Sequence, residues 1–376
     1  MNEESAGVPS ASDRMKTYLQ KIATGPEQSK DLTESEAEDA LGLILSGSVS
    51  PVRAGVFLIA SRMKRETSAE NAGFWKALDR TTSKRSANLD ELLQVADPFD
   101  GFDRVPYFGF YAVPVLAALG LPSYGHSARS LPPKFGITFE DVLQLHYRVP
   151  PAMSLDARVR LIEEFRFGYV DLRQSHPALE GLRQLRTEIV KRTALSTFEK
   201  MLRPVQSAGG RDYLVSGYFH RGYEIPMMTA ARLGGFDKTV LGNGAEGTTL
   251  FGVHKAARLF VLERENKDAE PREIRLSLDE MYPAETARKI RDAYAALKKE
   301  TPRMELLAEL GEAALKNGGG PAAPLIASQA GVLAHLLGRV ANPQAGYGAA
   351  EQTLARGECH QRLMRYIDSC RKGEGR

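Results

Sequence analysis

One stretch near the N-terminus decides the fold: LTESEAEDALGLILSGSVSPVRAGVFLIASRMKRETSAENAGFWKAL, residues 32–78. Its apolar residues recur at spacings of three and four, which is the period of an amphipathic helix. Thr33, with Glu36 three residues later, is the signature of a capping box at a helix start. Ser50 and Pro51 supply an N-cap and a proline at the first helical position, where the missing N–H does no harm. The stretch therefore predicts consecutive helices joined by short connections.

The helical pattern extends beyond this stretch on both sides. Thr67 or Ser68 can cap a third helix, and we predict a small N-terminal helical domain over residues 15–96. Residues 1–14 precede it and are predicted to form a disordered tail. This tail is polar and acidic and has no apolar segment, so it is neither a secretion signal nor a membrane anchor.

The character of the sequence changes after residue 96, where short apolar runs alternate with glycine-containing turns. Runs of this length, bounded by turn residues, are typical of strands, and helical patterns between them indicate an α/β sheet. We therefore predict the α/β class, with a large α/β domain over residues 97–376 built on a central mixed sheet. The predicted strands are YLVSGYF (213–219), KTVLGNG (238–244), RLFVLE (258–263) and EIRLSL (273–278), and the predicted helices include EIPMMTAARLGG (224–235) and APLIASQAGVLAHLLGRV (323–340).

Composition excludes several classes of protein. The 376 residues include 50 basic and 47 acidic side chains, a net charge of +3, so any anion-binding surface must be local. The two cysteines, Cys359 and Cys370, lack metal-ligand spacing and predict free thiols in a reducing compartment. No run approaches the roughly 18 consecutive apolar residues of a membrane-spanning helix. We therefore expect a cytoplasmic protein that does not bind membranes.

Residues 32–78 resemble the helical domain of the anthranilate phosphoribosyltransferases, which belong with the pyrimidine nucleoside phosphorylases in glycosyltransferase family 3. The resemblance implies the nucleoside phosphorylase/phosphoribosyltransferase fold, a homodimer formed through the helical domain, and packing of part of residues 165–195 on that domain. It continues at AALGLPSYGHSARS (117–130), FEDVL (139–143), HPALEGLRQLRTEIVKRT (176–193), GGFDKTVLGNGAEG (234–247) and AGYGAAEQTLARGECHQRL (345–363).

The chain departs from this family at the loop that holds the diphosphate. Family members carry GTGGD there, where small residues let backbone N–H groups approach the anion. This chain has DPFDGFDR, residues 97–104, in which Phe99, Phe102 and Asp103 would crowd or repel a diphosphate. A diphosphate could bind here only if Arg104 compensates. The loop therefore resembles a divergent branch of the family with an altered donor loop, in which Lys134 is expected to supply the lost positive charge.

Two more family motifs are altered. The family's KHGNR is SYGHS here, so Gly125 is retained and His126 replaces the asparagine. The acidic pair that holds magnesium in the family is replaced by Thr249 and Leu250, which leaves Glu246 as the nearby carboxylate. Magnesium prefers oxygen ligands from one or two carboxylates together with substrate phosphates. Glu246 is therefore a weak metal ligand candidate, and magnesium is expected only if phosphoribosyl diphosphate is bound.

The resemblance assigns a donor end and an acceptor end. His176 and Arg186 are the acceptor candidates, since a guanidinium can pair with an acceptor carboxylate. The residues leave two alternatives open: His176 as a histidine at a helix start without chemistry, and Arg186 as a surface arginine. The donor and phosphate candidates are Asp100, Gly101, Arg104, Gly125, His126 and Lys134.

Two functions follow from these observations. The first is a pentosyl (glycosyl) transferase resembling anthranilate phosphoribosyltransferase but with altered donor-binding motifs, whose partner is a phosphorylated sugar or another anionic ligand. Ordinary anthranilate activity is not expected. The alternative is a non-catalytic family member that binds nucleic acid or another polyanion, because a basic stripe can follow a phosphate backbone. The stripe would consist of Arg173, Arg183, Arg186, Lys191 and Arg192.

Overall fold

Four helices open the fold, in a computed structural model that describes residues 9–25, 27–266 and 270–373. Thr33 forms the predicted capping box with Glu36, and Ser50 accepts a hydrogen bond from the backbone of Arg53, so both predicted caps are confirmed. Thr67, rather than Ser68, caps the fourth helix. The helices are α1 (Ala11–Ile22), α2 (Glu34–Leu45), α3 (Pro51–Lys64) and α4 (Ser68–Thr81).

Two boundaries of the predicted helical region differ from the structure. The predicted disordered tail is wrong for residues 11–14, which begin α1 after the N-cap Ser10; residues 1–8 of that tail lie outside the described residues. Helical structure was also expected to reach residue 96, but β1 (Arg85–Ala87) and β2 (Glu91–Ala96) are strands. All six residues of β2 are buried, because a central strand of a parallel sheet is covered on both faces and shows no polar alternation.

The central sheet has seven strands in the order β4-β3-β2-β6-β7-β8-β9. The pairs from β4 to β7 are parallel, whereas β8 and β9 are antiparallel, so the predicted mixed sheet is confirmed. The four predicted strands are all present as β6 to β9. Strand β1 pairs in parallel with β5 in a separate two-stranded sheet. The remaining strands are β3 (Ser123–Ser127), β4 (Phe167–Asp171), β5 (Val205–Ser207), β6 (Arg211–Gly217), β7 (Lys238–Gly242), β8 (Ala257–Glu263) and β9 (Arg272–Leu276).

Helices cover both faces of the sheet. The predicted alanine-rich helix is present as α16, and nearly all of its residues are buried. It crosses α17 at Gly331 and Gly346, where a Cβ atom on Gly331 would lie 2.5 Å from the Gly346 backbone. The helices are α5 (Gly109–Ala118), α6 (Phe139–Asp141), α7 (Leu155–Phe165), α8 (Leu172–Ser175), α9 (Pro177–Glu180), α10 (Arg183–Ile189), α11 (Leu195–Phe198), α12 (Glu224–Gly234), α13 (Leu278–Met281), α14 (Ala284–Leu297), α15 (Met304–Asn317), α16 (Ala322–Leu336), α17 (Pro343–Ala355) and α18 (Glu358–Lys372).

The N-terminal helices share a hydrophobic core with one face of the sheet. Buried side chains of α2 to α4 form one cluster with Leu179, Phe198 and Met227, and with Leu214 of the sheet. Helix α10 packs against α3. A Cβ atom built on Gly55 of α3 would lie 3.6 Å from the side chain of Leu185 in α10, which is ordinary van der Waals contact. Both cysteines are free and buried. None of the helices in the described residues is both long and apolar enough to cross a bilayer.

The strand order creates a crevice in the middle of the sheet. From β2 the chain moves outward to β3 and β4 on one side, and later strands continue from β6 to β7 on the other side of β2. In open parallel sheets, ligands bind at the carboxyl ends of the strands where the connections diverge in this way. A ligand-binding site is therefore expected at the carboxyl ends of β2 and β6.

Candidate functional site

A cavity of about 250 Å³ lies at the carboxyl ends of β2, β6 and β7, and we call it the first cavity. The loop after β2 contributes Phe99, Asp100 and Arg104 to its wall. The segment after β6 contributes residues 218–220 together with Tyr223, and the turn after β7 contributes residues 246–247. The volume is near the lower end of the range for small-molecule sites.

Charged side chains surround the first cavity, and most of them are paired. Arg192 donates from Nε to Oδ2 of Asp100 at 2.9 Å. Lys134 Nζ lies 3.2 Å from Oε2 of Glu246. Arg104 is exposed and lines the cavity. The lining contains four lysine and arginine side chains and three carboxylates, namely Arg104, Lys134, Arg192 and Lys200 with Asp100, Glu199 and Glu246.

Glu246 anchors the loop that carries Arg104. Its carboxylate accepts the backbone N–H groups of Asp103 at 3.1 Å, Arg104 at 3.1 Å and Val105 at 3.2 Å. Burial opposes ionisation of Glu246, but Lys134 and these N–H groups outweigh it, so its pKa is lowered. One carboxylate therefore positions both Arg104 and Lys134 at the cavity.

These contacts do not fit a magnesium site. Both oxygens of Glu246 already receive N–H donors, and a cation would have to replace them. The hydroxyl of Thr249, which stands where the family has an acidic metal ligand, is bonded instead to Tyr107 and Gln329, at 3.0 and 2.9 Å. Across the described part of the chain, no group of three or more histidine, cysteine, aspartate or glutamate side chains could hold a metal ion.

Asp97, at the start of the loop formed by residues 97–104, belongs to the same buried network. Its Oδ2 accepts the Tyr107 hydroxyl at 2.7 Å, and its Oδ1 accepts the backbone N–H of Thr249 at 2.7 Å. Burial raises the pKa of Asp97 to about 6, against these hydrogen bonds. The network ties the loop after β2 to the turn after β7 directly beneath the first cavity.

Lys200 is a cavity residue that the sequence analysis did not single out. It is buried, and its Nζ donates to the backbone carbonyl of Gly217 at the end of β6. Burial lowers its pKa to about 8, although Asp97 and Asp100 favour the charged form. The signal in the sequence was a lysine between Phe198 and Met201, next to Glu199, which by itself does not distinguish a buried amine from an exposed one.

The two predicted donor glycines are required by packing and do not line the first cavity. Gly101 has φ +72°, and a Cβ there would collide with the Gly136 backbone, where the two loops cross. A Cβ on Gly125 would lie 2.5 Å from the Phe139 ring. Both positions therefore need glycine for the fold, whatever the cavity binds.

The two predicted site histidines lie behind the cavity. His126 is fully buried, with Nε2 3.2 Å from the Ser175 hydroxyl, and burial together with His176 lowers its pKa to about 3. His176 accepts the Leu179 N–H on Nδ1 at 3.0 Å, so it caps α9, and its Nε2 lies 2.9 Å from the Thr81 hydroxyl. His176 therefore links α9 to α4, which matches the structural alternative left open for it.

Arg186 does not line the first cavity either, although Glu199, its ion-pair partner, does. Its guanidinium forms a two-point ion pair with Glu199, with distances of 2.6 and 3.1 Å, and both side chains are buried. Arg183 is similarly bound to Glu180 and to the backbone carbonyl of Ser130. Four predicted site residues meet at the cavity, namely Asp100, Arg104, Lys134 and Glu246; five do not line it, namely Gly101, Gly125, His126, His176 and Arg186.

A helical bundle joined to a mixed α/β sheet, with a charged cavity at the point where the strand order reverses, defines a phosphoribosyltransferase-type fold. Residues 16–82 match the sequence model of a protein family described as "Glycosyl transferase family, helical bundle domain". Anthranilate phosphoribosyltransferase from Thermus thermophilus is 28% identical over 339 residues, covering 89% of this chain and 95% of that protein. An uncharacterised protein from Aquifex aeolicus is 27% identical over 235 residues, 62% of this chain and 70% of that protein.

Solved structures share the fold. The crystal structure of the Thermus thermophilus anthranilate phosphoribosyltransferase has a TM-score of 0.73 at 24% identity, and the match covers 96% of this chain and 99% of that one. The Saccharomyces cerevisiae enzyme in complex with PRPP and Mg has a TM-score of 0.72 at 16% identity, covering 95% and 97%. The chain is therefore similar to the anthranilate phosphoribosyltransferases in sequence and in fold, and its residues 16–82 match the helical bundle domain of the glycosyl transferase family.

Proposed function

We propose that the chain is a pentosyl (glycosyl) transferase with an altered donor site, and that the first cavity binds the anionic group of a phosphorylated sugar. One observation carries this proposal: the first cavity lies where the strand order reverses, and Arg104 and Lys134 are held at its edge by a single carboxylate, Glu246. The family likeness supplies the class of chemistry, and the cavity supplies the class of ligand.

The chemistry of such a transfer needs little from the protein beyond position and charge. The bond from C1 of the pentose to its phosphate leaving group breaks, and the leaving group keeps the electron pair while a bond to the acceptor forms. Cations placed where this negative charge develops lower the barrier, and no covalent protein nucleophile is required. Arg104 and Lys134 would contact the anionic group, and Glu246 would position them.

We do not expect magnesium-dependent transfer to anthranilate. The donor atoms around Glu246 do not suit magnesium, and Arg186, the predicted partner of an acceptor carboxylate, is already paired with Glu199. The phosphorylated ligand would therefore be held by side-chain cations and not by a metal. Two buried, free cysteines fit the cytoplasmic location that we propose.

The nucleic-acid alternative has weaker support. Of the five cations in the proposed stripe, Arg183, Arg186 and Arg192 are each paired with a carboxylate. Lys191 is exposed and Arg173 is partly buried, and neither forms a comparable ion pair among the described residues. A phosphate backbone following this stripe would have to break three existing ion pairs, one of them fully buried.

We also propose a homodimer formed through the helical domain. Helix α3 exposes Val52, Val56 and Met63, which are 75%, 48% and 78% accessible to solvent. Their spacing of four and seven residues places them on one face of the helix. Met63→Glu should lower the dimer fraction in analytical ultracentrifugation, whereas Met63→Leu should not; a monomer for both proteins and the wild type would reject this interface.

The test of the proposed function is ligand binding followed through thermal stability. Ribose 5-phosphate should raise the melting temperature, because a ligand that binds only the folded state stabilises it, and magnesium should not increase the effect. Arg104→Ala should weaken binding about tenfold, the loss of one charged hydrogen bond. Arg356→Ala, which changes an exposed arginine at the end of α17, is the matched control.

Two outcomes would reject this function. One is a salt-dependent shift with single-stranded DNA and none with ribose 5-phosphate or with phosphoribosyl diphosphate, which would favour the nucleic-acid alternative. The other is rapid, magnesium-dependent consumption of phosphoribosyl diphosphate with anthranilate, which would show that the donor site is not altered in effect.

A further inference from the structure

A second cavity, of about 350 Å³, lies beside the first and shares Tyr218 and Phe219 with it. Its other walls come from the segment after β6 and from the hairpin formed by β8 and β9. The volume falls within the range of small-molecule binding sites. Its charged lining consists of four cations and two carboxylates, namely Arg221, Lys255, Arg258 and Arg275 with Glu224 and Glu273.

Arg258 lies close to both carboxylates of the lining. Arg258 forms a two-point ion pair with Glu273, with both distances at 2.7 Å, and its Nη1 lies 3.8 Å from Glu224. Glu224 also accepts the backbone N–H of Gly222 at 2.7 Å. The lining therefore offers no further carboxylate to the other three cations.

The other three cations lie near like charges, and this repulsion is unfavourable unless an anion is bound. Arg275 lies directly opposite Arg258 in the antiparallel pairing of β8 with β9, and like charges in this position destabilise a sheet. Lys255 lies 5.8 Å from the centre of the Phe219 ring, on the wall between the two cavities. Arg221 is exposed at the same rim. A bound oxyanion would relieve this repulsion.

We propose that the second cavity binds the carboxylate or phosphate of the acceptor, with Arg221, Lys255 and Arg275 as its partners. The role as the acceptor end rests on the proposed function, since it needs the sugar to occupy the first cavity. Tyr218 and Phe219 line both cavities, so the two ligands would be separated only by these side chains, which would have to move aside for transfer. Arg186, the predicted partner of an acceptor anion, is already paired with Glu199. The second cavity would supply the cations that Arg186 does not.

The matched variants lie on one strand. Residues 273 and 275 share one face of β9, whereas Arg272 is on the other face and does not line the cavity. Arg275→Ala and Arg272→Ala therefore remove the same charge from the same strand. Both residues are exposed, so neither variant should lower the melting temperature, and Arg275→Ala should raise it slightly because it removes the repulsion from Arg258.

The experiment is isothermal titration calorimetry at low salt with inorganic phosphate and, separately, with benzoate, in the presence of saturating ribose 5-phosphate. Arg275→Ala should weaken binding of the tighter of these probes about tenfold, and Arg272→Ala should leave it unchanged. Equal affinities for the two variants would overturn the proposal. So would an effect of Arg275→Ala that is confined to a single-stranded oligothymidylate.

Failure of the proposed function would be recognised separately. If ribose 5-phosphate does not bind the wild type, the first proposal fails, and the same titrations without the sugar still compare Arg275→Ala with Arg272→Ala. If ribose 5-phosphate binds and Arg104→Ala weakens it, but the two variants on β9 do not differ, only the second cavity is rejected.

Discussion

The edge of the first cavity and the wall behind it use the same residue types for different purposes. Behind the cavity surface, Arg186 is buried and pairs at two points with the lining residue Glu199, and His176 links two helices. At the edge, Arg104 is exposed and is positioned only through its backbone, by Glu246. A buried, ion-paired arginine such as Arg186 stabilises the fold, whereas an exposed arginine such as Arg104 can contact a ligand.

The largest effect should come from breaking the buried pair behind the cavity. Arg186→Ala leaves the Glu199 carboxylate buried without its partner, which should cost about 3–5 kcal/mol of unfolding free energy. Urea denaturation measures the change. Replacing both partners, as in Arg186→Met with Glu199→Leu, should cost much less, because no charge is then left buried; equal losses in the two proteins would contradict this account.

The next effect concerns pH and His126. Burial depresses its pKa to about 3 in the folded state, from about 6.5 when unfolded. The unfolded chain therefore binds a proton first as the pH falls, so the stability due to neutral His126 is present above about pH 6.5 and is lost towards pH 3. Between pH 7 and pH 5 the wild type should lose about 2 kcal/mol more than His126→Gln. Identical pH profiles in denaturation experiments would show that His126 is not buried in a neutral form.

A smaller effect should come from loosening the cavity edge. Glu246→Gln removes the charge that accepts three backbone N–H groups and pairs with Lys134, at a cost of about 1.5 kcal/mol. The same variant should weaken ribose 5-phosphate binding, because Arg104 and Lys134 lose their common anchor. Glu300→Gln, at an exposed position, is the control, and loss of stability without any loss of binding would separate Glu246 from the site.

The smallest effect should come from a partly exposed pair near the same wall. Arg183→Ala breaks an ion pair with Glu180 in which the two side chains are 31% and 17% accessible. Exposed pairs contribute about 0–1 kcal/mol, so we expect a loss well below that of Arg186→Ala. A loss as large as that of Arg186→Ala would mean that the bonds from Arg183 to the backbone near Ser130 dominate.

Local patterns predicted most of the architecture. Thr33 and Ser50 marked helix starts because capping is decided within a few residues, and the four strands from 211 to 276 were visible as apolar runs between turns. Strand β2 was missed because burial on both faces gives it no polar alternation, and its apolar residues were assigned to the helical pattern that precedes them. The candidate site was predicted in part: Asp100, Arg104, Lys134 and Glu246 meet at one cavity, whereas Lys200 was overlooked.

Local sequence patterns were enough to predict the helical domain and the α/β class, because caps and periodicity are properties of neighbouring positions. Tertiary structure alone decided which charges remain for a ligand. Nothing in the sequence distinguishes Arg186 from Arg104. In the structure, Arg186 forms an ion pair with Glu199, 13 residues later, whereas Arg104 is exposed. Pairing across the fold depends on distance in space, and desolvation then fixes each buried pair in place.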